Sequence, residues 1–160
     1  MIVDILIKTI FPSVTIGVIT AVCTVWFSLK RFQKERWWQL KAEAYSRIIE
    51  ALYHVMAYYS EMEEDTLRDY GASDSSKLSQ KVIEELEEKS FQASKEIDKA
   101  TGMGAFIISD EVSKVLHELK TREGVNPREE PWLSHCNDQW RAYQKTIDDI
   151  RRLAKKDLKV

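Results

Sequence analysis

The sequence contains three histidines and two cysteines, side chains that often act as metal ligands or nucleophiles. Glu50 and His54 lie one helical turn apart, but a di-iron site in a helical bundle needs Glu-x-x-His motifs from two helices. His135 and Cys136 are adjacent, and adjacent helical residues point about 100° apart, so they do not form a nucleophile and base pair. None of the HExxH, GxSxG, Walker or GxGxxG patterns occurs. We therefore predict no catalytic, metal-binding or cofactor-binding residues, and no enzyme.

Composition and charge narrow the class of protein further. With 5 Gly and 3 Pro in 160 residues, the chain favours long helices over sheets with many tight turns. Its formal net charge of −2 gives no support for nucleic-acid binding. Cys23 and Cys136 have no CxxC partner and fall in different parts of the expected topology, so we expect both to be reduced. A small all-α protein is the resulting expectation.

The most informative stretch is Ile10 to Leu29, which carries no charged residue. About twenty helical residues, at about 1.5 Å each, cover the roughly 30 Å hydrocarbon core of a bilayer. A cleaved signal peptide would carry its positive charges before the apolar run, whereas here they follow it. We therefore predict a retained, single-pass transmembrane helix over residues 10–29, with residues 1–9 as a lead-in on the outer face.

Basic and aromatic residues follow this span directly. The only charged residues before the span are Asp4 and Lys8. The positive-inside rule therefore places the N-terminus outside and residues 30–160 in the cytoplasm. Trp38 is in phase with Tyr45 on the apolar face of the helix predicted after the span, so it is expected to face the cytoplasmic helices. The residues expected at the membrane interface are Lys30, Arg31, Lys34, Arg36, Trp37 and Lys41.

Small and hydroxyl-bearing residues recur every four positions along one side of the span. They are Ser13, Gly17 and Ala21 in one row and Thr20, Thr24 and Ser28 in an adjacent row. Lipid tails give no hydrophobic drive to helix association, so close approach at small residues and Ser/Thr hydrogen bonds are what can hold spans together. The pattern predicts a homo-oligomer formed through these six residues. The alternative is that the hydroxyls bond back to their own helix.

Residues 30–160 are predicted to form a cytoplasmic helical bundle. Apolar residues at helical spacing, broken by Gly- and Ser-rich or Pro-containing segments, place helices at about 30–65, 77–100, 109–120 and 131–157. Ser109 is expected to cap the third helix, and Pro131 to be the first residue of the fourth. Short connections favour antiparallel neighbours, so the expected fold is an up-down bundle. Continuity between the span and the first helix is left open.

Each predicted helix has one apolar face. The residues expected on these faces are Tyr45, Ile48, Leu52, Val55, Tyr59 and Met62; Leu78, Val82, Leu86, Ala93 and Ile97; Val112, Val115, Leu116 and Leu119; and Trp132, Cys136, Trp140, Tyr143, Ile147, Ile150 and Ala154. The up-down topology brings the basic C-terminal segment 151–159 to the membrane-proximal end, where it faces the bilayer. The alternative is that its cations complement the C-terminus of their own helix.

Two segments carry a resemblance to known proteins. WWQLKAEAYSRIIEAL at Trp37 to Leu52, with FIISDEV at Phe106 to Val112, resembles a set of small single-pass bacterial inner-membrane proteins with a helical cytoplasmic domain. No activity is assigned to that set. The resemblance therefore implies a bacterial inner-membrane location and a helical cytoplasmic part, and it transfers no functional residue.

Together these features predict a non-enzymatic, membrane-anchored scaffold. It would self-associate through its span in the lipid bilayer and bind an unidentified protein partner in the cytoplasm, without a cofactor or nucleic acid. The alternative is a membrane-perturbing effector of a toxin or phage-defence system. In that case oligomerised spans would line a leak, with Thr20, Thr24 and Ser28 facing water.

Overall fold

The computed structural model describes residues 2–69, 78–103, 106–123 and 131–159, and it describes side chains from Ile19 onward except at 69, 103 and 123. This part of the chain is all-α. Its helices are α1 (Ile2–Asp69), α2 (Gln80–Met103), α3 (Asp110–Glu123) and α4 (Trp132–Leu158). Apart from the start of α1, these bounds lie within four residues of the predicted ones. The prediction left continuity open, and α1 covers both the predicted span and the first bundle helix.

The chain divides into two compact units, Met1–Gln39 and Leu40–Val160. The first unit is the N-terminal part of α1, and every described side chain in it is exposed. The second unit contains the rest of α1 together with α2, α3 and α4. The hydrophobic core lies entirely within this second unit.

Side-chain contacts between α1 and α4 show that these two helices are antiparallel. Arg151 donates a hydrogen bond to the Tyr53 hydroxyl at 2.6 Å, and Asn137 donates one to Glu63 at 3.0 Å. Residues nearer the C-terminus of α1 therefore contact residues nearer the N-terminus of α4. This arrangement confirms the predicted up-down bundle.

Contacts at both ends of α2 show how it connects to its neighbours. The Leu78 N–H, just before α2, donates to the Asp65 carboxylate at 2.9 Å, so α2 starts beside the C-terminal part of α1. Near the other end of α2, Asp98 forms an ion pair with Lys120 of α3 at 2.5 Å. Both side chains of that pair are about half exposed, so the pair positions α3 more than it stabilises the fold.

Most of the predicted apolar faces form one core. Its buried residues are Tyr45, Ile48, Ala51, Leu52 and Val55 of α1; Ala93 and Ile97 of α2; Ile108, Val112, Leu116 and Leu119; and Tyr143, Ile147, Ile150 and Ala154 of α4. Side chains at i, i+3, i+4 and i+7 lie on one side of a helix, which is why spacing alone identified most of them.

The apolar face of α2 is less buried than predicted. Val82 is 38% exposed, and Leu78 and Leu86 are half-buried, whereas Ala93 and Ile97 are buried. Only the second half of α2 therefore packs into the core. In the first half, Val82, Ile83 and Leu86 stand among charged residues, and so few apolar side chains do not require burial.

Three further predictions differ in detail from the structure. Trp132 is 42% exposed because it lies in the first turn of α4. Pro131 precedes α4 as its N-cap, one residue earlier than predicted, and its carbonyl accepts from the His135 N–H at 3.1 Å. The Ser109 carbonyl accepts a hydrogen bond from the Ser113 N–H at 3.1 Å. The buried hydroxyl of Ser109 makes no hydrogen bond of ordinary geometry with a described residue. The predicted side-chain cap is therefore not formed.

Among the residues whose side chains are described, no helix has a stretch long and apolar enough to cross a lipid bilayer. Part of the predicted span lies outside this set, because the side chains of residues 10–18, including Ser13 and Gly17, are not described. The predicted outer lead-in, the loop at 71–76 and the segment 124–130 also lie outside it.

Candidate functional site

The exposed N-terminal unit contains most of the residues singled out from the sequence. Large apolar side chains cover much of α1 here, and they are Ile19, Val22, Val25, Trp26, Phe27 and Leu29, each between 55% and 64% exposed. No described residue of this unit enters the core. A helical surface this apolar is normally covered by lipid or by other helices.

Four of the predicted association residues lie on one side of α1. At about 100° per residue, Thr20, Ala21, Thr24 and Ser28 fall within an arc of about 100°. All four are exposed. The Thr24 hydroxyl donates to the Thr20 carbonyl at 2.8 Å, one turn back along the same helix. Its proton is thus already used within the helix, as the alternative interpretation of the hydroxyl row anticipated.

The predicted interface residues are also accessible. Lys30, Arg31, Lys34, Arg36 and Trp37 are exposed, whereas Lys41 is half-buried and belongs to the bundle unit. The side chain of Lys30 folds back over the Trp26 ring, with its ammonium 4.9 Å from the ring centroid. A cation resting on an aromatic ring is an arrangement suited to the headgroup region of a bilayer.

The two adjacent tryptophans do not differ as predicted. Trp37 is 49% exposed and Trp38 is 46% exposed, and both belong to the first unit. Trp38 was expected to face the bundle helices, but it is nearly as exposed as Trp37. The compact bundle begins at Leu40, after both of them, and Tyr45 is the first buried residue of α1 among those whose side chains are described.

A cleft of about 380 Å³ opens at the end of the bundle where Leu40 begins. Its described lining is mainly apolar and comes from α1, α2 and the connection before α3. The apolar residues are Leu40, Ala44, Ile48, Ala100, Ile107 and Ile108, and the charged ones are Glu43, Arg47, Glu96 and Lys99. This described lining contains no His, Cys, Ser or Thr, so its chemistry suits binding rather than bond formation.

A buried hydrogen-bonding group lies next to this cleft. Tyr45 is 2% exposed, its hydroxyl donates to the Asp157 carboxylate, and it accepts a hydrogen bond from the Ser109 N–H at 3.2 Å. Burial, and next the hydrogen bond to Asp157, raises the pKa of Tyr45, while the contacts with Ser109 act in the opposite direction. Spacing placed Tyr45 in the core, but no sequence signal pointed to Asp157 as its partner.

Aromatic rings gather on the bundle around His135. The Trp132 and His135 rings stack with centroids 5.6 Å apart, and Tyr59 lies 6.0 Å from both His135 and Tyr143. The neighbouring Cys136 is fully buried, and burial, then the charge of Glu63, raises the pKa of its thiol to about 11. Cys136 is therefore a protonated core residue at neutral pH.

The remaining candidates for chemistry are exposed to solvent. Glu50 and His54 are both exposed on α1, and His117 is exposed on α3. Within the described ranges, no three His, Cys, Asp or Glu side chains come together as metal ligands.

No protein-family model matches the chain, and no curated protein or solved structure matches it significantly.

Proposed function

We propose that this chain is a non-enzymatic, membrane-anchored helical protein that self-associates through its N-terminal helix and binds a protein partner with its bundle. The observation that carries the proposal is the apolar surface of α1 between Ile19 and Leu29. It continues the charge-free sequence that starts at Ile10, and the bundle core does not use it. Lipid and a second copy of the helix are the surroundings that would cover it.

The basic residues after this surface support the orientation. Five exposed residues, Lys30, Arg31, Lys34, Arg36 and Trp37, follow Leu29 without an intervening Pro or Gly. Under the positive-inside rule this collar lies on the cytoplasmic side of a bacterial inner membrane, with the N-terminus outside.

The small side of α1 supports self-association. Because Thr24 donates to its own helix, the proposed contact depends on the small size of Gly17 and Ala21 more than on hydrogen bonds between helices. Close backbone approach at such positions provides van der Waals contact that lipid tails cannot match.

The first half of α2 supports partner binding. It lies outside the core, exposes Val82 and Phe91, and carries Glu84, Glu85, Glu87 and Glu88 in exposed positions. Exposed apolar residues within an acidic helix suit a protein partner with a basic, partly apolar surface.

Fractionation of cells that produce the full chain tests the anchor. We expect the protein to stay in the membrane pellet after alkaline carbonate extraction. A double substitution, Val22→Arg with Val25→Arg, should release it, because arginine within a span is costly. The matched control, Val82→Arg, should leave it in the pellet. Wild-type protein in the soluble fraction, or equal behaviour of both variants, contradicts anchoring.

A membrane-potential dye separates the scaffold from the effector alternative. The scaffold predicts that induced cells keep their potential. The effector predicts depolarisation that disappears when Thr20, Thr24 and Ser28 are replaced by Val, Val and Ala. Depolarisation of that kind would favour the effector.

A further inference from the structure

The end of the bundle that carries the cleft also exposes apolar side chains. Phe106, in the connection before α3, is 82% exposed, more than any other large apolar residue in the described part of the chain. Leu40 is 44% exposed, and both Leu40 and Ile107 line the cleft. We call Leu40, Phe106 and Ile107 the apolar rim. Folding of the bundle leaves the Phe106 ring in water.

Lysines lie at the same end of the bundle as the apolar rim. The contact of Tyr45 with Asp157 brings the last turn of α4 to this end of the bundle. Lys99 lines the cleft, and Lys41 follows Leu40 directly. We call Lys41, Lys99, Lys155 and Lys159 the lysine group. None of these four forms an ion pair with another described residue.

The acidic residues at this end mostly have partners. Three acids are held in this way: Glu43 by Arg47 at 2.6 Å, Glu111 by Lys156 at 3.1 Å, and Asp157 by the Tyr45 hydroxyl. Glu96 and Asp110 form no ion pair with a described residue. The Tyr45 hydroxyl is uncharged and leaves the negative charge of Asp157 in place. Four unpaired lysines therefore stand against three acids without a cationic partner, and this end of the bundle is net positive.

An apolar rim among unpaired cations complements the surface of an anionic bilayer, in which apolar side chains enter the interface and lysines attract the headgroups. We propose that this end of the bundle docks on anionic lipid headgroups, with Phe106 inserted in the interface and the lysine group over the phosphates. The proposal rests on the membrane anchor proposed above. It adds a second lipid contact, located wholly within Leu40–Val160.

Fluorescence quenching in vesicles tests the docking on the full chain. A Phe106→Cys, Cys23→Ser protein is labelled with an environment-sensitive dye and reconstituted with nitroxide-labelled lipid. The buried thiol of Cys136 should not label at neutral pH. We expect strong quenching in vesicles that contain phosphatidylglycerol. In phosphatidylcholine alone, or at high salt, quenching should be several-fold weaker, because screening weakens surface attraction.

A matched position provides the control. Val82→Cys in the same Cys23→Ser background carries the dye near the start of α2, which lies beside Asp65 and away from Leu40. It should remain unquenched in both vesicle types. Equal quenching at both positions, no quenching at position 106, or equal quenching in charged and neutral vesicles would overturn the docking.

A label on Cys23 of the wild-type chain distinguishes the two proposals. Cys23 is exposed in the N-terminal unit and should be quenched in every vesicle type if α1 is inserted. Quenching at Cys23 without quenching at position 106 overturns the docking and leaves the anchor intact. An unquenched Cys23 overturns the anchor.

A charge reversal supplies a second variant. Lys155→Glu with Lys159→Glu should reduce quenching at position 106 in phosphatidylglycerol vesicles to the level seen in phosphatidylcholine. The same protein should keep wild-type quenching at Cys23 when that residue carries the dye. Undiminished quenching at position 106 would overturn the role of the lysine group.

Discussion

The Tyr45 hydroxyl on α1 donates a hydrogen bond to the Asp157 carboxylate on α4, and the Ser109 N–H donates to the same hydroxyl. Two helices and the connection that enters a third thus meet at one buried oxygen. From Ile19 onward, Tyr45 is also the first buried residue of α1. This contact therefore fixes the end of the bundle at which the cleft and the apolar rim lie.

Removing this hydroxyl should destabilise the bundle. Tyr45→Phe leaves the Ser109 N–H and the Asp157 carboxylate without their partner, and a buried group left unsatisfied costs about 1–3 kcal/mol. Denaturant unfolding followed by circular dichroism measures the loss. Tyr53→Phe is the matched control, because its hydroxyl bonds the exposed Arg151 and should matter less. Equal losses of unfolding free energy in the two variants would show that the buried Tyr45 contact stabilises the bundle no more than the exposed Tyr53 contact.

The Cys136 thiol should make stability depend on alkaline pH. Its pKa is raised from 9.0 to about 11 in the folded chain, mainly by burial. The folded state therefore holds the thiol proton more tightly than the unfolded state does. The resulting contribution of Cys136 to the free energy of unfolding is fully present below about pH 9 and is lost as the pH rises through about 11. We expect the denaturation midpoint to fall more steeply over this range in wild type than in Cys136→Ala. Cys23→Ala should follow wild type, and identical slopes for all three would contradict the assignment.

The unequal burial of α2 and α3 should appear in a pair of identical substitutions. Leu116 is fully buried on α3, so Leu116→Ala should cost about 2–5 kcal/mol through lost contacts and a cavity. Leu86 is half-buried on α2, so Leu86→Ala should cost about 1 kcal/mol or less. Both are measured by denaturant unfolding. A larger loss at Leu86 would mean that the first half of α2 belongs to the core.

Association of the N-terminal helix with its copies should depend on the small size of its side chains rather than on hydroxyl groups. Gly17→Leu with Ala21→Leu should abolish the crosslinked oligomers seen in membranes, because larger side chains prevent close approach. Thr24→Val should leave them unchanged, since the Thr24 proton is bonded within its own helix. Loss of oligomers in Thr24→Val would instead indicate hydrogen bonds between helices.

Apolar spacing was sufficient to predict the four helices and most of the core. Leu52, Val112 and Ile147 each belong to a set of apolar residues at helical intervals on their own helix. All three are buried, because packing in a bundle follows the period of the helix. Spacing failed at Trp38 and Val82, which are in phase with the buried residues of their helices but are 46% and 38% exposed. Phase gives the direction of a side chain and says nothing about whether a neighbour is present.

The candidate site was less predictable than the fold. Spacing cannot reveal that Tyr45 bonds to Asp157, because the two residues lie on different helices and are paired only by the register of α1 against α4. The cleft arises in the same way, where α1, the last turns of α2 and the connection before α3 come together. By contrast, the basic residues Lys30, Arg31 and Lys34 and the small residues of the span could be identified because each set lies within one helical segment.

The limited burial of α2 also determines the order in which the backbone opens. Amide protons over residues 80–90 should exchange with solvent through local openings of low free energy, whereas those around Leu116 and Ile147 should exchange only through global unfolding. The first turns of α2 would then separate from the other helices while the core stays folded. A partner could capture that segment in a rearranged conformation without dismantling the bundle.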